Sequence, residues 1–373
     1  MKKELTGLEL HYLIQELNLL LGSKVDKVYH PNKRELIINF YLSGKGKEIL
    51  RVLVPNFIYI TEHKQEYPQT PSGFCVLLRK HLENTRLKEI NQLGFERIIE
   101  FVFEHKQGKR ILIFELFSKG NIVLCKEDYT IIATLEVQRW SKRTVKLGVR
   151  YEYPKKEFNF LRLKEEEFAK LMKESKKNLV KTLAIDLGLG GVYAEELCLM
   201  ARVDKNKKDV DNSEIKSLIK ASEKLRSKKT NASIVYEGQG VVDVVPIELE
   251  FYKELKKREF KTYNDALDAS LTKVLVKAEK EQRLSRHQKQ IEKLNRIVEK
   301  QEQHVTKLEK DIEENTEKAE LIYKNYKLVD NVLTELRKAR ERLSWEEIKQ
   351  RLKGHKVVKD IKEKEKAIVI ELK

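Results

Sequence analysis

The 373-residue chain sets 76 Lys and Arg against 59 Asp and Glu, a formal net charge of +17 with a pI near 9.4, and 40% of its residues are hydrophobic. That suffices for at least one real core within two or three domains, and the charge points to a polyanion, nucleic acid ahead of an acidic membrane surface. No apolar run approaches the roughly 18 residues of a membrane span and the Met1-Lys-Lys-Glu start lacks an apolar signal stretch, so a soluble cytoplasmic protein is expected.

Leu8 to Leu21 has helical apolar spacing and stops at Gly22, after which residues 24–29, 35–41, 48–54 and 57–60 read as short strands. Pro71 leads into a helix over Gly73 to Leu82 that turns Arg79 and Lys80 outward, an arrangement suited to a phosphate backbone or simply to a solvated face. Glu96 to Glu104 and Arg110 to Phe117 alternate like paired strands, and Asn121 to Cys125 continues that sheet. Glu96 and Arg97, adjacent near a strand start, should point to opposite faces. Arginine forks onto phosphate or guanine and glutamate accepts from a cytosine amino group, while an ion-paired strand edge fits these two residues equally. Residues 1–165 are thus expected as an α+β domain.

Residues 166–232 read as short, Lys-rich helices around the glycines at 188, 190 and 191. In a helix-hairpin-helix these glycines would allow positive φ and expose backbone N–H groups to a phosphate, gripping backbone without reading bases. A glycine-capped turn between two packed helices fits the same residues. Ser233 to Glu237 and Val241 to Val245 look like strands, so residues 233–264 are expected to return to the first sheet.

Residues 265–344 form an arm. From Ile291 to Leu343, Ile291, Leu294, Val298, Val305, Leu308, Ile312, Ile322, Leu333 and Leu336 fall on one stripe at alternating spacings of three and four, a coiled-coil seam over seven heptads. Gln301, Asn315 and Arg340 would fix its register. Read as one helix, residues 270–352 would reach about 120 Å at 1.5 Å per residue, long enough to span a large partner. No second seam of matching length follows, so an antiparallel or swapped homodimer is expected. Residues 273–300 hold nine basic against four acidic residues, 301–320 three against seven, and 337–366 twelve against six, making base and tip basic. Two anionic sites, one touched by Arg337, Lys338, Arg342, Lys349 and Arg351, fit this pattern, as does patterning for solubility. The seam breaks at Trp345, and residues 345–373 read as the start of a small further domain.

Cys75, Cys125 and Cys198 are odd in number and far apart, and the eight His residues form no H-E-x-x-H, so buried thiols are expected and no metal or cofactor.

Five blocks in order, Pro71-Ser-Gly-Phe-Cys-Val-Leu-Leu-Arg-Lys-His-Leu82, Gly94-Phe-Glu-Arg-Ile-Ile-Glu-Phe101, Glu115-Leu-Phe-Ser-Lys-Gly-Asn-Ile-Val-Leu124, Leu187-Gly-Leu-Gly-Gly-Val-Tyr-Ala-Glu-Glu196 and Trp345-Glu-Glu-Ile348, together resemble the NFACT family of ribosome quality control factors, the RqcH and NEMF type, in its archaeal and eukaryotic branch. The resemblance implies an NFACT-N domain similar to the N-terminal fold of formamidopyrimidine-DNA glycosylases, a helix-hairpin-helix, a coiled coil and part of a middle domain. It also implies binding to a large ribosomal subunit obstructed by peptidyl-tRNA and recruitment of tRNA, alanyl in prokaryotic relatives, for mRNA-independent tailing of the stalled chain. Glu96 and Arg97 match the family's Asp-Arg pair that contacts the anticodon region, with glutamate in place of aspartate. Arg79, Lys80, Lys119 and Asn121 join them as expected tRNA contacts. The family's returning helix and C-terminal NFACT-R domain are not matched in this sequence. A glycosylase would need an N-terminal proline followed by glutamate, whereas Lys2 and Lys3 follow Met1 and Glu4 is displaced. The fibronectin-binding name of some bacterial relatives suggests a surface adhesin as a third class, and an enzyme is not expected because the ribosome would supply peptidyl transfer.

Overall fold

The computed structural model describes residues 2–372 except 66, 142, 155–157, 364 and 366, and of residues 277–283 and 285–287 only the backbone. It divides into two compact units, Met1–Ala278 and Glu279–Lys373. Residues 1–165, 166–232 and 233–264 thus lie in one compact unit.

In the first unit, α1 (Gly7–Leu17) starts with a capping box in which Thr6 and Glu9 bond each other's backbone N–H groups. Nine antiparallel strands follow: β1 (Lys24–Asn32), β2 (Glu35–Leu42), β3 (Gly46–Leu53), β4 (Phe57–Thr61), β5 (Arg86–Gln92), β6 (Ile98–Glu104), β7 (Arg110–Glu115), β8 (Asn121–Lys126) and β9 (Ile131–Thr134). Their order, β4-β3-β2-β1-β5-β6-β7-β8-β9, is two meanders joined where Lys24 pairs with Arg86, with α2 (Gly73–Leu82) crossing between them. The meanders share one core, in which Phe40 of β2 stacks on Phe103 of β6.

The alternation expected in β6 and β7 is not what burial shows. Every residue of β7 and all but the last of β6 are buried. Ile98, Ile111, Ile113 and Val123 form a second cluster with Val145 and Tyr151, so this half of the sheet is covered on both faces and needs apolar side chains on both. The cover is Val145, from the hairpin of β10 (Gln138–Arg139) and β11 (Thr144–Val145), together with Tyr151 and Tyr153 after it.

Four helices then form a second core: α3 (Glu165–Glu174), the short α4 (Leu179–Lys181) running into a wide turn, α5 (Gly191–Ala201) and α6 (Asn212–Arg226). Strands β12 (Ala232–Glu237), β13 (Gly240–Val245) and β14 (Lys256–Phe260) make a separate three-stranded sheet. They do not rejoin the first sheet by hydrogen bonding. They dock on it instead, because Ala232, Ile234 and Val244 belong to its core while Val235 and Val245 belong to that of the helices. All three cysteines are buried thiols.

The helix of the arm, α7 (Tyr263–Lys324), gives way at Asn325 to α8 (Tyr326–Arg340). Asn325 (φ −106°, ψ 24°) bonds the Leu321 carbonyl through both its N–H and its side-chain amide, a local competition that loosens a helix. The single helix expected over 270–352 is thus interrupted there and ends at Arg340. Ser344 and Glu347 form a capping box that starts α9 (Trp345–Arg351) afresh. Within the second unit, α8 and α9 pack on a hairpin of β15 (Val358–Lys362) and β16 (Ala367–Ile370) through Leu336, Ile348, Val358 and Ile361. Leu336 and Leu343, expected in the seam, serve this small core. The upstream seam residues Ile291, Leu294, Val298, Val305, Leu308 and Ile312 are exposed. Among the described residues no helix is long and apolar enough to cross a membrane.

Candidate nucleic-acid interface

The segment Lys2–Thr6 joins a buried ion-pair network to two of the expected sites. Lys2 enters the interior, where Nζ donates to Glu9 Oε1 at 2.6 Å and Asp243 Oδ1 at 2.8 Å. Tyr193 of α5 donates to Glu9 at 3.0 Å and Tyr252 to Asp243 at 2.9 Å. Burial pulls the Lys2 ammonium down, yet the two carboxylates hold it above its ordinary value. The network fastens α1, α5 and β13 to one lysine.

Just beyond it, the chain contacts two of the expected sites. Arg97 Nη1 donates to Glu4 Oε2 at 2.6 Å and to the Leu5 carbonyl at 3.2 Å. At Thr6, the next residue, a Cβ added to Gly190 would lie 3.1 Å from Cγ2. Gly188 (φ +77°) and Gly190 (φ +79°) need the left-handed region, and Gly190 caps α5. Gly191 is the first helical residue, with open space where its Cβ would be, so the turn itself makes no demand for glycine there. The first N–H groups of α5 lack intrahelical acceptors, as at any helix start. In the neighbouring basic run, Lys205, Lys207 and Lys228 are paired with Glu195, Glu214 and Glu196.

Glu96 and Arg97 lie in the turn before β6, not in the strand, so the expected alternation to opposite faces does not apply. This turn starts an end of the sheet shared by several other elements. The Arg97 carbonyl accepts from Leu116 N, and the β7–β8 turn that follows exposes Lys119. Arg34 donates to the Lys119 carbonyl at 2.5 Å and pairs with Glu136, while Gln138 donates to the Gly120 carbonyl at 3.0 Å. Arg97, Lys119, Arg34 and the β10–β11 hairpin therefore occupy one end of the first unit.

Two of the expected contacts lie deeper than their sequence context suggests. Asn121 is fully buried, its amide donating to the Glu136 carbonyl at 2.9 Å and its Oδ1 accepting from Glu136 N and Thr134 Oγ1, so it shapes the turn and cannot touch a ligand. Arg79, expected to face outward, is half-buried: it donates to the Val28 carbonyl at 2.7 Å and lies over the Tyr29 ring, while Lys80 beside it is exposed. In the second unit Arg337, Lys338, Arg342, Lys349 and Arg351 are all exposed, with Lys338 near Glu335 and Lys349 paired to Asp360 at 2.7 Å. Trp140 is not among the expected contacts, although Gln138-Arg-Trp-Ser-Lys-Arg143, one of two tryptophans amid five polar or basic neighbours, carries a signal for it.

Comparison with known proteins places this arrangement. A family model described as NFACT N-terminal and middle domains matches residues 6–368. The archaeal Rqc2 homolog aRqcH of Methanocaldococcus jannaschii is 34% identical over the whole chain, which spans 59% of that protein. The human ribosome quality control complex subunit NEMF is 25% identical over 93% of the chain and 35% of its own length. The N-terminal part of the fibronectin/fibrinogen-binding protein from Streptococcus suis shares the fold at a TM-score of 0.59 and 22% identity, over 72% of this chain and 100% of that one. A match running from the α1 cap to the last hairpin, across both units, means that the chain belongs to the NFACT family.

Proposed function

We propose that the chain is a non-catalytic ribosome quality control factor of the cytoplasm. It binds the large ribosomal subunit obstructed by peptidyl-tRNA and recruits tRNA, alanyl-tRNA in the first instance, for mRNA-independent C-terminal tailing. The observation that carries this reading is family membership with relatives named for ribosome quality control, joined to a net charge of +17. Arg97, Glu96 and Lys119 at one end of the first unit are the proposed tRNA contacts, with Lys80 on α2 as a further one. The Gly188–Gly191 turn is the proposed helix-hairpin-helix grip on phosphate. Arg337, Lys338, Arg342, Lys349 and Arg351 are the proposed ribosomal RNA contacts of the second unit.

A glycosylase reading finds no support at Lys2, whose ammonium is buried and bound by two carboxylates rather than poised as a free amine. The adhesin names of the bacterial structures come with a likeness that speaks for fold alone. The proposed coiled coil needs a second helix over the exposed seam. Light scattering on this chain is expected to show a concentration-dependent dimer that vanishes when Leu294 and Leu308 are changed to Glu; a monomer at all concentrations would remove the homodimer from the reading.

The deciding experiment is salt-dependent binding of tRNA and of large subunits, run beside abasic-site cleavage and fibronectin capture. Binding should weaken steeply with salt, as expected of phosphate contacts. Arg97→Ala is expected to weaken tRNA binding about tenfold at a fixed salt concentration while changing the melting temperature little, since the Glu4 carboxylate it pairs with is half open to water. An Arg97→Ala protein that binds tRNA like the parent would remove that residue from the interface.

A further inference from the structure

The β10–β11 hairpin exposes a tryptophan where burial would be the usual choice. Trp140 is 41% exposed, with Val137 and Leu147 open beside it. It sits on a braced framework. Its backbone N–H donates to the Arg143 carbonyl at 2.8 Å, and the Arg143 guanidinium lies 5.2 Å from the indole and 4.8 Å from the Tyr151 ring. Arg143 is in turn ion-paired with the buried Glu115, which also accepts from Tyr151 at 2.6 Å. The charge of Arg143 is thus spent inside, and its plane serves to hold the indole. Gln138 fixes the other end of the hairpin to the Gly120 carbonyl, next to exposed Lys119.

A braced, exposed aromatic with cations on the same hairpin suits one partner chemistry above others. Arg139, Lys146 and Arg150 are exposed on and beside the hairpin, and Arg97 lies in the turn before β6 at the same end of the first unit. An apolar protein partner would be disfavoured by desolvating these charges, whereas a nucleic acid supplies both the phosphates and a π-face. We propose that the indole of Trp140 is a stacking platform for an unpaired RNA base, with Arg139 and Lys146 receiving the flanking phosphates. This rests on the RNA-binding reading above and adds to it a residue that engages bases instead of backbone.

The test uses the full chain carrying Trp345→Phe, so that Trp140 is the sole tryptophan. tRNA binding is measured by filter retention and, separately, by quenching of indole emission. Saturable quenching that tracks retention is expected, with little quenching by a blunt RNA duplex lacking unpaired bases. Trp140→Ala should weaken tRNA binding about tenfold, and Trp140→Phe should restore most of it. If the alanine variant melts early, the phenylalanine variant and the quenching decide. tRNA retained with unchanged emission, quenching by the duplex as strong as by tRNA, or a folded Trp140→Ala variant binding like the parent would each overturn the stacking role and leave the RNA-binding reading standing. No retention of tRNA at any salt concentration would overturn both.

Discussion

Lys2→Met is expected to destabilise the first unit by about 3–5 kcal/mol, a large share of the roughly 5–15 kcal/mol that holds a domain together. The methionine keeps the volume and leaves Glu9 and Asp243 facing each other without their cation. Lys2 and Glu9 are almost wholly buried, so water does little to screen the two charges. Removing one partner of a buried pair costs far more than the pair contributes, because the survivors stay desolvated. The loss should also carry a pH signature. Burial and Asp243 already raise the Glu9 carboxyl above its ordinary value, with Lys2 opposing them. Without Lys2 the folded state would hold its proton more tightly still. A carboxyl with a raised folded-state pKa binds more protons folded than unfolded, so stability rises as pH falls through that pKa toward the unfolded value. The deficit of Lys2→Met relative to the parent should therefore shrink between pH 7 and pH 5 in urea unfolding. A deficit below about 1 kcal/mol, or one that grows on acidification, would show that the network is not the anchor described here. Because Arg97 and Gly190 both rest on residues 4–6, the same variant should weaken tRNA binding even where it remains folded.

What the sequence disclosed and what it hid follow physical lines. The strands β1 to β4, α2 and the glycine turn were legible because their periodicity or breakers are local. β5 was missed. Its apolar Leu87 and Ile90 are three apart, and a bulge between Leu87 and Glu89 shifts the pleat so that period-two alternation never appears. β14 was missed because Lys-Lys-Arg-Glu-Phe is the charged edge strand of its sheet, where charge guards an open backbone. The stripe to Leu343 was read correctly as apolar, but spacing cannot say which partner covers it, and Leu336 turned out to face α9 and β15.

The site was less legible for a related reason. Type and exposure of a side chain are partly local properties, whereas neighbourhood is not. Asn121 was expected as a contact only through the resemblance of its Gly-Asn-Ile block, and its burial depends on Glu136 and Thr134 arriving later in the chain. Lys2 and Asp243 are separated by 241 residues, and nothing at either position announces the other. Arg97, Lys119 and Trp140 share an end of the sheet only because β6, β7 and β8 pair in the register that sets Ile98 opposite Glu115 and Glu115 opposite Asn121.

Gly120→Ala tests whether that shared end is built as tightly as it looks. Gly120 has φ +70°, and an added Cβ would lie 2.9 Å from Pro55 Cα, Pro55 Cβ and Val54 Cβ. Two costs combine: the left-handed region is unfavourable to alanine by about 1–2 kcal/mol, and the overlap with a neighbouring backbone adds about 1–3 kcal/mol. Gly44→Ala separates them, because Gly44 has φ +83° and nothing within 4 Å of its would-be Cβ. Gly120→Ala should thus be about 2–5 kcal/mol less stable than the parent and clearly worse than Gly44→Ala in the same urea titration. The functional consequence should be as selective. The Gly120 carbonyl accepts from Gln138 and the Lys119 carbonyl from Arg34, so displacing the turn from Pro55 shifts Lys119 and unseats the Trp140 hairpin. Gly120→Ala should lose tRNA affinity at temperatures where it is still folded, whereas Gly44→Ala keeps it. Equal stability of the two variants would mean that the β3–β4 turn yields, and that the end of the sheet carrying Arg97, Lys119 and Trp140 is looser than a pre-formed interface requires.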